Sequence, residues 1–231
     1  MSMAQIYESS IRVVPVHVCS HGFKNYSYVV STQNSKAATI IDPAWELEKY
    51  LEVLEINNLI PTHVLLTHTH FDHMNLVKQF VDRFQVDVWV SEKERMRLLT
   101  SSHCVKSFSH LEKLQLNHLE CTVYETPGHS PGSSCFLIGA NLFSGDTLFI
   151  EGCGICDDPE SSPEQLYESI KFLKQTLSEN VKIYPGHRFQ SYPGQTMDFV
   201  LKNNLYLHFE EKNDFVKYRM RKNKINLLDF K

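Results

Sequence analysis

The sequence predicts a layered α/β protein. Short apolar, β-branched runs alternate along the chain with amphipathic stretches of helical spacing. Histidines and aspartates repeatedly follow the apolar runs in turns of small residues, where a rigid scaffold presents chemistry. The balance of 42% hydrophobic and 22% charged residues over 231 positions is globular and suits a single domain spanning 1–231.

Taken in order, residues 11–18, 26–31 and 38–41 read as strands of an early antiparallel sheet, separated by turn residues. Residues 45–57 read as a helix, because Leu47, Leu51 and Leu54 fall at i, i+4 and i+7. A short buried strand follows at 63–66. The stripe of Leu76, Phe80 and Phe84 predicts a helix over 75–84, then a strand over 86–90 and a helix over 92–99. Residues 98–119 carry no clear pattern and are expected to border a cleft, with Phe108 lining it. In the second half, 119–125 and 134–138 read as strands, and 141–143 starts another. Ser162-Pro163-Glu164-Gln165 places Ser at an N-cap, Pro in the first turn and Gln at the capping-box position. That helix runs to about residue 177. A strand at 182–184 and a short, mainly helical tail from about 195 complete the chain.

Net charge −4 argues against a nucleic-acid partner. No apolar stretch approaches the roughly 18–20 residues a membrane span needs. "MSMAQIYESSIRVV" has no basic region followed by an apolar one, so a cytoplasmic protein is expected. Six scattered cysteines read as reduced thiols. Cys153-Gly154-Ile155-Cys156 lacks the second C-x-x-C of a structural zinc site.

The densest chemistry is "THTHFDH" at 67–73. Neutral imidazole and carboxylate are ligands that borderline metals such as zinc accept. His68 and His70 lie on one side of a tight turn, and Asp72 and His73 aim at a second ion nearby. Two ions need further donors. "TPGHSPGS" offers His129, "LFSGDTLF" offers Asp146 and "IYPGHRF" offers His187, each after an apolar run. Aspartate is the natural bridge, since its two oxygens reach two cations. The isolated histidines at 17, 21, 63, 103, 110, 118 and 208 read as surface or satisfied core residues.

T-H-x-H-x-D-H, P-G-H-S-P-G, G-D-T and P-G-H in this order resemble the metallo-β-lactamase superfamily, with Asp42 in "IIDPA" like its early structural aspartate. The resemblance implies an αββα sandwich with a metal cleft at one edge and a short helical C-terminal extension. It implies two Zn2+ per chain: His68, His70 and His129 at one site, Asp72, His73 and His187 at the other, and Asp146 bridging. Asp72 would be the catalytic residue, orienting a bridging hydroxide, and a thiolate would be a suitable leaving group. "FSGDTLFIEGCG" looks most like the glyoxalase II and persulfide dioxygenase branches. Those branches commonly read G-C-G-R, whereas Ile155 stands here in place of the basic residue, and the tail is shorter than the glutathione-binding domain of glyoxalase II. The tail, with "DFVKYRMRKNK", is similar to PksB-type zinc-dependent hydrolases of bacterial polyketide synthase clusters. This implies a small-molecule or carrier-bound acyl thioester as substrate and an acyl carrier protein as partner. Arg219, Arg221, Lys222 and Lys224 would then meet phosphopantetheine or an acidic carrier surface. The rival implied by the same motifs is an Fe2+ persulfide dioxygenase. A nuclease and a non-catalytic metal-binding protein complete the alternatives.

Overall fold

The structure is a computed structural model and describes residues 11–98, 102–222 and 230–231. Lys224 and the first ten residues lie outside them. The apolar runs pair into two six-stranded sheets. The first contains β1 (Ile11–Ser20), β2 (Phe23–Thr32), β3 (Ala37–Ile41), β4 (Ile60–Leu65), β5 (Asp87–Ser91) and β6 (Val105–Phe108) in chain order. β1 to β3 are antiparallel, and β3 to β6 run parallel. The second sheet has the order β12-β11-β10-β9-β8-β7. Its members are β7 (Lys113–Leu116), β8 (Leu119–Glu125), β9 (Ser134–Ile138), β10 (Asn141–Gly145), β11 (Lys182–Pro185) and β12 (Gln195–Thr196). β10 and β11 are parallel neighbours, and the other pairs are antiparallel.

Four layers follow from which face each side chain takes. In β2, Val29 packs outward while Tyr28 and Val30 face the other sheet. At β4, Val64 and Leu66 point outward and Leu65 inward. Helices α1 (Leu47–Ile56) and α3 (Val77–Phe84) cover the first sheet's outer face through Tyr50, Leu54, Phe80 and Val81. α4 (Pro163–Thr176), α5 (Met197–Asn203) and α6 (Lys212–Arg219) cover the second through Leu166, Ile170, Leu173, Val200 and Phe215. Between the sheets lie Tyr28, Ile41, Leu65, Phe136 and Phe143. The result is the αββα order.

Several expectations need correction. The helix expected from Trp45 starts at Leu47, because Trp45 takes φ +63° and its N–H donates to Asn75 Oδ1. The helix expected over 75–84 begins only at Val77, after a separate four-residue turn α2 (Phe71–Met74). Asn75 separates the two: its amide Nδ2 donates to Phe71 O while its oxygen serves Trp45. The helix expected over 92–99 is a 3-10 turn at Arg95–Arg97, with position 99 outside the described residues. Phe108 does not line the cleft beside the metal donors. It is buried between the sheets, edge-on to Phe136 at 5.6 Å between ring centroids. The predicted N-cap holds, with Ser162 Oγ accepting from Gln165 N.

Candidate metal centre

The parallel strands deliver their C-terminal ends to one edge of the sandwich. Asp42 follows β3, and His68, His70, Asp72 and His73 follow β4. From the second sheet, His129 follows β8, Asp146 follows β10 and His187 follows β11. All seven predicted donors meet there. The ligand atoms of His68, His70 and His129 lie within 4.8 Å of one another, as do those of Asp72, His73 and His187. Asp146 sits between the sets: Oδ2 is 3.6 Å from His129 Nε2 and 3.4 Å from His187 Nε2, and Oδ1 is 3.4 Å from His73 Nε2. Asp42, His68 and His73 also come within reach of one ion. However, the Asp42 oxygens are committed, Oδ1 to Thr67 N and Oδ2 to Thr67 Oγ1 and His73 Nδ1. Asp42 therefore orients donors and leaves the inward-facing work to others.

The rings are aimed by their outer nitrogens. His129 Nδ1 donates to Ile155 O at 2.7 Å, His187 Nδ1 to Lys24 O at 2.8 Å and His73 Nδ1 to Asp42 at 3.1 Å. His68 Nδ1 lies 3.0 Å from Thr67 Oγ1, whose proton goes to Asp42. These partners accept, so Nδ1 carries a proton and each Nε2 faces inward, where a cation would take its lone pair in place of any proton held there. His70 is reversed, with Nδ1 facing His129 Nε2 at 2.8 Å and Nε2 facing Asp158 at 3.9 Å. His68 Nε2 and Asp146 Oδ1 are buried without any hydrogen-bond partner. Inward lone pairs and an orphaned carboxylate oxygen are what a divalent cation satisfies, so the donor set fits two such ions.

Charge is divided across the site. Burial pushes His68 and His70 down, and His129 down to about 4. Burial also disfavours charge on His73 and His187, but Asp72 and Asp146 outweigh it. These carboxylates hold His73 up at about 9 and His187 at about 10. Despite burial, Asp72 and Asp146 stay well below the ordinary carboxylate range through those histidines. Asn25 Nδ2 also donates to Asp72 Oδ2 at 2.9 Å.

The donors open into a cleft of about 150 Å3 whose far wall is Phe23, Phe149, Ile155 and Phe230. Phe230 stacks on the His187 ring at 4.0 Å. No described lysine or arginine lines this cleft. A larger cavity of about 340 Å3 between α4 and the tail contains none of the donors. Cys153 also lines the cleft, its thiol pushed up to about 12 by burial, and neither it nor Cys156 is in a disulfide. The docking role expected of Arg219 is corrected. Arg219 is 1% exposed and its Nη1 donates to Cys153 O, leaving half-buried Arg221 and exposed Lys222 as the cations of that group among the described residues. Sequence reasoning did not find Asn25, Glu94, Phe149 or Phe230, which carry no motif. Among the described residues, no isolated histidine joins a potential metal cluster.

An αββα sandwich with imidazoles and carboxylates gathered where its two sheets meet defines a class of metal-site proteins. Residues 22–187 match the metallo-beta-lactamase superfamily, and the chain belongs to it. It is 36% identical to the probable polyketide biosynthesis zinc-dependent hydrolase PksB of Bacillus subtilis, over 95% of this chain and 98% of that protein. Identity to the probable polyketide biosynthesis zinc-dependent hydrolase BaeB of Bacillus velezensis is 37%, over 90% of this chain and 93% of that protein. A hydroxyacylglutathione hydrolase of Hydrogenovibrio crunogenus is 34% identical over 71% of this chain and 59% of that protein. Among solved structures, ETHE1 from Myxococcus xanthus is similar with a TM-score of 0.80 at 25% identity, covering 94% of this chain and 95% of that one. No helix among the described residues is long and apolar enough to cross a membrane.

Proposed function

We propose that this chain is a zinc-dependent hydrolase that cleaves acyl thioesters, acting as one catalytic unit in the cytoplasm. The carrying observation is the union of seven converging donors with a cleft wall of Phe23, Phe149, Ile155 and Phe230. His68, His70 and His129 would hold one zinc, Asp72, His73 and His187 the other, and Asp146 both. Bound zinc supplies Lewis acidity, lowering the pKa of water from about 15.7 toward 7 and polarising a carbonyl. Asp72 is the catalytic carboxylate. Its Oδ2, fixed by Asn25, accepts a hydrogen bond from the attacking water and directs a lone pair toward the acyl carbon. Phe230, Phe149 and Ile155 exclude bulk water and favour an uncharged, apolar acyl group. The C–O bond forms and the C–S bond breaks, giving a carboxylate and a thiolate; one of the water's two protons goes to the departing sulfur and the other to solvent. Thiols have a pKa near 8.5, so no separate general acid is required.

Ile155 and the absence of a described cation in the cleft disfavour the anionic glutathione tripeptide. Near-full-length likeness to hydrolases named for polyketide biosynthesis favours an acyl group on a carrier protein or coenzyme A. The exposed ammonium of Lys222 supports docking of an acidic carrier. The test combines metal analysis with hydrolysis of matched glutathione, coenzyme A and carrier-protein esters. Two zinc per chain, turnover of the carrier or coenzyme A ester and loss of turnover in Asp72→Asn are expected. The motifs shared with the persulfide dioxygenase branch carry a second reading, an iron-dependent persulfide dioxygenase. About one iron per chain with oxygen uptake on a persulfide would replace the hydrolase reading.

A further inference from the structure

His68, His70 and His129 come from loops on different sheets, so something must hold the loops in register. One tie is a backbone hydrogen bond from Ser134 N to Thr67 O. A second is a buried carboxylate outside every motif. Glu94 lies just before the 3-10 turn that follows β5, and is 1% exposed. Its Oε2 accepts a hydrogen bond from Thr69 Oγ1. Its Oε1 accepts from Ser130 Oγ at 2.7 Å and from Gly132 N at 2.9 Å. Arg97 lies 3.8 Å from Oε2 and partly balances the charge. A buried anion with three donors and a nearby cation is satisfied.

The positions of those donors matter more than their number. Thr69 stands between His68 and His70, and Ser130 directly follows His129. One carboxylate thus grips the chain beside all three imidazoles. Gly132 leaves room for it, since a Cβ there would fall 2.5 Å from Glu94 Cγ and 2.8 Å from Ser91 Oγ. The other donor set has separate supports: Asn25 for Asp72, Asp42 for His73 and Lys24 O for His187. We propose that Glu94 is a positioning residue for one metal position only, the one formed by His68, His70 and His129. This rests on the two-ion reading above.

The experiment measures zinc stoichiometry and chelator-competition affinity in wild type, Glu94→Ala and Glu94→Gln, with circular dichroism to verify folding. Wild type should hold two zinc. Glu94→Ala should keep one and weaken the other by about 10–100-fold, the usual effect of losing an outer partner of a metal ligand. Glu94→Gln keeps the acceptor for Ser130 and Gly132 and should recover part of the loss. Position is read by double-mutant cycles. In a His187→Ala background, Glu94→Ala should weaken the remaining ion; in a His129→Ala background it should change nothing. If Glu94→Ala does not fold, Thr69→Val and Ser130→Ala each delete one bond and should each weaken the same ion several-fold. Equal weakening of both ions, or wild-type affinity in every variant, overturns the proposal while leaving the two-ion reading intact. Wild type that takes up no zinc overturns both, and does so in the wild-type arm alone.

Discussion

Asp146 and Asp72 decide the electrostatics of the cleft. Asp72 faces two imidazoles and the more deeply buried Asp146 faces three, and both draw protons onto His73 and His187. Without a cation, His73 and His187 are therefore the charged partners, held at about 9 and about 10 although burial opposes it. Their values lie above the roughly 6.5 of an unfolded histidine. The stabilisation they give is fully present below that unfolded value and is lost as pH rises through 9 and 10. Metal-free protein prepared with a chelator should show a melting temperature that falls as pH rises from about 6.5, levels off above about pH 10 and recovers on re-acidification. A melting temperature flat from pH 7 to 10.5 would show that the two imidazoles are neutral there. These donors were legible in the sequence because each stands in a short punctuated turn after an apolar run. Glu94 was not legible. "SEKERMRLL" has good helix formers, and only three donors from distant loops draw Glu94 inward and leave a 3-10 turn in place of a helix.

At the scale of elements, tight turns bring the motifs together. Gly186 separates β11 from His187, and a Cβ there would lie 2.5 Å from both Asp146 Oδ1 and His73 Cε1. Gly186→Ala should fold but bind zinc at least about 10-fold more weakly, by chelator competition, because it displaces two donors at once. Unchanged affinity would mean the loop relaxes freely. Ser162 tests the opposite kind of position. It caps α4 far from any donor in sequence, so Ser162→Ala should cost about 1 kcal/mol and roughly 2–4 °C in melting temperature, with zinc content unchanged. The cap and the strands could be read from local pattern. The break at Asn75 could not, because its amide answers to Trp45, thirty positions away in the chain. Phe108 was misplaced for the same reason. Its orientation is set by the parallel pairing of β5 with β6, which no local periodicity announces.

For the whole molecule, the centre joins two sheets that otherwise meet through apolar side chains. Four donors belong to the first sheet and three to the second. Ions bound there act on the folded state alone and stabilise it by about 2.7 kcal/mol at a free concentration one hundred times the dissociation constant. The melting temperature should therefore climb with the logarithm of free zinc, while Asp146→Ala should flatten that slope. An identical slope in the variant would place the ions elsewhere. The layered fold was readable from alternating patterns, whereas the cleft's aromatic wall was not. Phe230 stacks on His187 from the far end of the sequence, and nothing near position 187 anticipates that contact.

The sheets are also sequential. The first is complete at Phe108, and the second lacks its P-G-H turn until β11 ends at Pro185. A ribosome adding about 5–20 residues per second needs roughly 4–15 s to cover that stretch. Until β7 to β10 follow within it, the nascent chain presents the inner face of Tyr28, Val30, Ile41 and Leu65 without the Leu114, Val123, Phe136 and Phe143 that cover it in the finished fold. The newborn protein is thus sticky before it can be competent, and its yield during synthesis depends on protection of that one face.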